Sequence, residues 1–403
     1  MKKKSYYLSA TGLICAAGKN PAALWRSVTT GCTDGFQLVE LPDGTKVYAG
    51  KITDDWLPVL PDDMNIRLFR IEQAALNQIE KDIVTAKLKY GASRIAVCIG
   101  STDNGTDYSV PAHRKFFKNG TFPENYTIAR QAADIQSAYI RQKYGLSGIT
   151  AAFATACSSS AGALATACDL LAADLADAVI AGGVDLASDT AIAGFNSLKS
   201  VSAGRVNPFS RNRDGITIGE AAAFFLVTKE KSENSVRILG IGESSDANHM
   251  TAPLADGSGA AAAMQRALNA AALAPQDIDY INLHGTGTML NDSMEAKGIK
   301  TVFGNVTDRI PVSTTKSVTG HTLGAAGALE AAICQLVLLQ NRNKPSAQLE
   351  FPVQVWDRQS DESMPVLNFV NEKHPENTTG KVTVCMSNSF AFGGCNISLL
   401  LGC

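Results

Sequence analysis

Seven short apolar runs alternate with helical stretches along the chain: "RIAVCIG", "DAVIAGGVD", "AAFFLVT", "VRILGIGE", "DYINLHG", "IPVSTT" and "KVTVCMSNS". Runs of this length suit strands better than helices, and their near-continuous apolarity suits strands covered on both faces. The rhythm predicts an α/β fold with largely buried strands. At 403 residues and 45% hydrophobic content, the chain exceeds what a single core accommodates, so two domains or a duplicated fold are expected. The charged stretch "KEKSEN" (229–234) marks the break, giving halves 1–232 and 236–403. An internal echo fits duplication. "ITAAFATACSSSAGALATACDLL" (149–171) and "IPVSTTKSVTGHTLGAAGALEAAICQLVLL" (310–339) both run strand, turn, then a helix of Ala, Gly and Leu.

Charge and cysteine usage narrow the function classes. A net charge of −2 gives no global attraction to nucleic acid or to an anionic membrane. The nine cysteines are scattered, mostly in apolar runs, with no CxxC pair or Cys/His cluster at metal-ligand spacing, so no metal is expected. Buried, reduced thiols in a cytoplasmic protein are the reading. The N-terminal "MKKKSYYLSATGLICAAG" superficially resembles a signal peptide, but Ser9, Thr11 and Gly12 interrupt its apolar stretch. A buried first strand followed by a turn and the helix "PAALWRSV" accounts for the same residues. The longest apolar run (322–340) carries Glu330 and Gln335, which predicts a core helix and no membrane span. The polar, Gly- and Pro-marked segment 101–125 reads as an excursion from the core.

Chemistry points first to Cys157, in "FATACSSSAGAL" (153–164), where a strand ends and a helix begins. A thiol there feels the helix field and the free backbone N–H groups, which stabilise a thiolate. A sharp strand-to-helix turn also exposes the side chain and aims donors at an oxyanion formed on it. Only five histidines exist, and two open Gly/Thr-rich loops beside apolar runs: His284 in "YINLHGTGT" and His321 in "TKSVTGHTLGAAG". Strand ends of this kind are where α/β folds place ligands. A fourth element, "SNSFAFGGCN" (387–396), runs a strand into a Phe-Gly-Gly turn.

Six motifs occur in one order: "TACSSSAGAL", "RDGITIGEAAA", "SSDANHMTAP", "HGTGT", "TKSVTGHTLGAAGALEA" and "NSFAFGGCN". In that order the chain resembles the β-ketoacyl-acyl-carrier-protein synthases, in their elongating Cys-His-His branch, over about Tyr6 to Leu400. The resemblance implies a thiolase-like fold with duplicated halves in a five-layered αβαβα arrangement. It implies that Cys157 is the acyl-accepting nucleophile, with the backbone N–H groups of Cys157 and Phe392 as oxyanion hole. His284 and His321 would assist decarboxylation of a malonyl thioester, with Lys316 and Glu295 organising them. Thr286 and Thr288 would hold the pantetheine arm, Phe392 would gate the acyl pocket in the Gly393–Gly394 turn, and Phe195 would line it.

No cofactor is implied, because the phosphopantetheine arm belongs to the acyl carrier protein substrate. The implied partners are that carrier and a second subunit, either another copy or a paralogous chain-length factor. The implied reaction is decarboxylative condensation for fatty acid, polyketide or polyene elongation. A chain-length-determining scaffold subunit and a coenzyme A-dependent thiolase are the rival readings. Three departures stand out: Ala391 before the gate Phe, Gly287 in the first His motif, and Asn207 where many relatives carry a basic residue. Arg67, Arg70, Arg114, Lys115 and Lys118 are alternative charges for an acidic carrier.

Overall fold

The computed structural model describes residues 5–61, 64–103, 105–372 and 380–403. Its main sheet has eleven strands, and their order shows the duplication directly. From a central seam outward, one half runs Tyr6–Cys15, Ala221–Thr228, Ala178–Asp185, Ile95–Gly100 and Thr150–Phe153. The other runs Val236–Ser245, Cys395–Gly402, Val384–Phe390, Tyr280–Asn282 and Pro311–Ser313, with Asn368–Phe369 added at the edge. In both halves the two inner junctions are antiparallel and the two outer ones parallel. The seam is a short antiparallel pairing of Tyr6–Leu8 with Val236–Ile238.

The echo noted in the sequence maps onto equivalent places. Thr150–Phe153 leads through a turn at Ala156–Ser158 into the helix Ser159–Ala172; Pro311–Ser313 leads through a turn at Leu323–Ala325 into the helix Ala326–Asn341. These two helices pack on each other between the two half-sheets. Small residues let them approach: a Cβ on Gly327 would stand 2.8 Å from the Cβ of Ala161. Fourteen of the sixteen residues in Ala326–Asn341 are buried, so this helix is apolar on every side because protein surrounds it. Leu323–Asn341 is long and apolar enough to cross a membrane, and 89% of the window lies inside the fold.

Helices Arg67–Leu76, Glu80–Tyr90 and Ile135–Tyr144 cover the outer face of the first half-sheet, and Ser258–Ala271 and Met289–Phe303 cover that of the second. The layers are therefore helix, sheet, helix, sheet, helix. The N-terminal apolar stretch is the strand Tyr6–Cys15, and the helix Pro21–Thr30 that follows is capped by Asn20 with Pro21 in its first turn. The excursion after residue 100 contains a helix, Thr106–Asn119.

Candidate active site

Cys157 sits in the turn between strand and helix, one residue after Ala156, whose φ is +49°. Left-handed backbone at a non-glycine residue costs about 1–3 kcal/mol and persists only where packing imposes it. Leu323, at the equivalent place in the other half, has φ +50°, so both turns carry the same strained geometry. The three serines after the thiol have local reasons. Ser158 and Ser159 donate to the carbonyls of Thr155 and Ala156 at 2.9 and 2.6 Å, and the Ser160 hydroxyl accepts the Ala328 N–H of the second central helix at 2.9 Å.

Folding brings the thiol of Cys157 and one ring nitrogen each of His284 and His321 within 4.8 Å of one another, all buried. The two imidazoles stand nearly perpendicular, 5.3 Å between centroids. His284 ends a strand region and His321 is held by backbone: its N–H donates to Thr217 and its carbonyl accepts from Gly219. All three line a cavity of about 310 Å³ together with Phe195, Thr286, Thr288, Phe392, Gly393 and Gly394. The Phe195 and Phe392 rings lie 5.8 Å apart, and the hydroxyls of Thr286 and Thr288 are 3.0 Å apart. The donor set also suits a soft divalent cation by number and type, which would occupy the thiol.

Burial pushes the Cys157 thiol up to about 12, against the pull of the Lys316 charge and of the Phe392 N–H directed at the sulfur. The stabilised thiolate expected from the helix start is therefore not the resting state; desolvation outweighs the favourable neighbours. Burial, then Lys316, hold both imidazoles well below their ordinary range, so both are neutral. Lys316 Nζ stands 3.4 Å from His284 Nδ1. An ammonium there makes Nδ1 the acceptor and leaves the ring proton on Nε2. Nδ1 of His321 is buried with no hydrogen-bond partner among the described residues.

Lys316 also pairs with Glu330, and both are almost fully buried. Glu330 is the residue that sequence reasoning missed, having seemed only an interruption of an apolar run. Its spacing from Lys316 gives no local cue, because the pair forms across two separate helices. Glu295 is fully buried and accepts the N–H groups of His284 and Gly285 at 2.8 and 2.7 Å, so it fixes the histidine loop through backbone. Burial pushes it up to about 7 despite those donors.

The departures acquire reasons. Ala391 has φ −99°, extended backbone that any residue adopts. Gly287 has φ +82°, and a Cβ there would meet Val206 at 2.6 Å and the Gly215 carbonyl at 2.7 Å, so a side chain does not fit. Asn207 accepts the Asp357 N–H at 3.1 Å. Two of the alternative docking charges are engaged elsewhere. Arg67 pairs with the fully buried Glu220 and with Asp54, and Arg70 donates to the Pro58 carbonyl. Arg114, Lys115 and Lys118 are on the Thr106–Asn119 helix.

Substituting Lys316 with methionine, paired with Glu330→Gln to avoid an orphaned carboxylate, tests the electrostatics. Breaking a buried pair by removing one partner costs about 3–5 kcal/mol, which is the reason for the double change. Without the lysine charge both imidazole pKa values rise, while burial still holds them below their ordinary range, and the thiol rises further. The acid limb of acyl loading is then expected to move upward in pH, read from a pH–rate profile.

Residues 9–233 match the family model described as Beta-ketoacyl synthase, N-terminal domain, and residues 236–350 the one described as Beta-ketoacyl synthase, C-terminal domain. A 3-oxoacyl-[acyl-carrier-protein] synthase 2 of Coxiella burnetii is 31% identical over 100% of this chain and 99% of its own length. Among solved structures, that of the ketosynthase ApeO in complex with its chain length factor ApeC, from Xenorhabdus doucetiae, aligns with a TM-score of 0.89. It is 37% identical and covers 99% of this chain and 98% of that one. A beta-ketoacyl synthase from Burkholderia phymatum STM815 aligns with a TM-score of 0.82 at 25% identity, covering 99% of each chain. The layered architecture is thus the thiolase-like fold of ketosynthases. With two family models spanning both halves and a full-length relative, the chain belongs to the beta-ketoacyl synthase family.

Proposed function

We propose that this protein condenses an acyl group, carried on Cys157, with a malonyl group delivered by an acyl carrier protein, releasing CO2 and a 3-oxoacyl carrier. The observation that carries the reading is one thiol and two neutral imidazoles within 4.8 Å at the wall of one cavity. Cys157 attacks the acyl thioester; its proton passes through an imidazole to the departing carrier thiolate, and an S-acyl enzyme remains. The malonyl thioester then loses CO2, and the enolate oxygen accepts hydrogen bonds from His284 and His321. The enolate carbon attacks the acyl-Cys157 carbonyl. The backbone N–H groups of Cys157 and Phe392 hold the oxyanion until it collapses and expels the thiol.

A chain-length-determining scaffold has no use for this grouping, which favours the catalytic member of a ketosynthase pair. The likeness to a ketosynthase solved with its chain length factor supports a heterodimer with such a paralogue over a homodimer. The phosphopantetheine arm arrives as part of the substrate, so no resident cofactor is required. Thr286 and Thr288 line the same cavity as Cys157, which supports a role in holding the arm. Lys199 lines the cavity, exposed and without an ion pair among the described residues, which supports a contact with the arm's phosphate. Lys199→Glu is expected to raise KM for the carrier about tenfold with kcat little changed, read from steady-state kinetics at low salt.

The direct test supplies acyl carrier and malonyl carrier to the purified protein, with and without a candidate paralogue. Equimolar CO2 and a 3-oxoacyl carrier two carbons longer support the reading. Acyl carriers returned unchanged across a panel of chain lengths, with paralogue present, overturn it.

A further inference from the structure

Asp185 ends the strand Ala178–Asp185 and is fully buried, yet the chemistry above does not use it. Its carboxylate receives five donors. Gly324 N–H donates to Oδ2 at 2.6 Å and Asp103 N–H to Oδ1 at 2.7 Å. Thr102 N–H reaches both oxygens at 2.9 and 3.0 Å, its hydroxyl reaches Oδ2 at 3.1 Å, and the Ser101 hydroxyl reaches Oδ1 at 3.1 Å. Gly324 belongs to the other half of the molecule, in the strained turn three residues beyond His321. It opens the second central helix, where a carboxylate is favoured by the helix field.

The same cluster leads to the acyl pocket. Asp103 ties down the start of the Thr106–Asn119 helix, accepting from the N–H and hydroxyl of Thr106 at 2.8 and 2.7 Å. The Thr106 hydroxyl meets that of Ser188 at 3.1 Å, and Ser188 accepts the Ala191 N–H at 3.2 Å to cap the helix Asp189–Ser197. That helix carries Phe195, beside Phe392 in the cavity. Asp185 thus stands at a branch. Three residues along its own chain is the cap of the pocket-wall helix, and one hydrogen bond away is the turn that follows His321.

We propose that Asp185 is a positioning residue that holds His321 in register with the wall of the acyl pocket. The inference rests on the condensation reading. Asparagine at this place keeps the volume but turns one of the two accepting oxygens into an NH2 that faces N–H donors, so either the Gly324 turn or the Asp103 side loses its acceptor and the link between them is broken. Misplacing a reacting group by about 1 Å costs up to about 100-fold in rate. Loading of Cys157 uses the thiol of its own turn; that turn packs on Leu323–Ala325 and the Asp185 charge opposes the thiolate, so loading feels this branch less than condensation does and is not blind to it.

The test compares single-turnover acyl loading with condensation in wild type, Asp185→Asn, Asp185→Glu and Thr106→Val. Asp185→Asn is expected to load within about threefold of wild type and to condense about 10- to 100-fold more slowly, with KM for the malonyl carrier unchanged. Asp185→Glu is expected to recover part of the loss, and Thr106→Val to show the same split more weakly. Condensation within about twofold of wild type in Asp185→Asn, or an equal fall in loading and condensation, overturns the proposal. Should Asp185→Asn fail to fold, Thr106→Val decides by the same split. A wild-type protein that neither loads nor condenses would instead remove the functional reading itself.

Discussion

Alanine at Cys157 is expected to abolish acyl loading, with intact mass showing no adduct where wild type gains one acyl group per chain. The loss should exceed about 10³-fold, because among the described residues no second thiol lines the cavity to replace the nucleophile. Cys395 is near the Phe-Gly-Gly turn but is not part of the cavity wall. Malonyl decarboxylation should persist in the same variant, since His284, His321 and Lys316 keep their places. The two half-reactions are thereby separated: loss of loading with CO2 release retained is the signature of a nucleophile. Loading equal to wild type would remove Cys157 from the mechanism.

Alanine at His321 is expected to give the opposite pattern, slowed but measurable loading with decarboxylation reduced about 10²- to 10⁴-fold. The enolate oxygen would retain one imidazole donor instead of two, at a point where both rings are buried. His284→Ala should lose decarboxylation to a similar extent. It also leaves the Lys316 ammonium without its ring partner, so its pH profile should differ from that of His321→Ala. Measured CO2 release from malonyl carrier, alone and with acylated enzyme, checks both. Decarboxylation unchanged in both variants would contradict the donor role.

The local parts of this architecture were legible in the amino-acid order. Strand rhythm, the start of the helix after Cys157, and the two histidine loops all follow from short-range patterns. Even the duplication left its trace in the paired Ala- and Gly-rich helices, because both must pack closely in the central layer. What could not be read was which distant groups meet. Lys316 finds Glu330, Ser160 finds Ala328, and Asp185 finds Gly324 across 139 positions. Arg67 looks like a free surface charge in sequence, but 153 positions away the fully buried Glu220 ties it down as a half-buried partner. The thiol shows the same limit: a helix start can be read from neighbouring residues, whereas desolvation depends on everything packed around it.

In the proposed reaction an acyl group passes through one sulfur on its way to a carbon–carbon bond. Enzyme acylated with an isotope-labelled acyl carrier, freed of excess carrier and then chased with malonyl carrier, reports this in a single experiment. The label should sit on the Cys157 peptide before the chase and appear in a 3-oxoacyl carrier two carbons longer after it, with the peptide returned to its free mass. Product formed while the label stays on the enzyme, or a label found on any other residue, would contradict it.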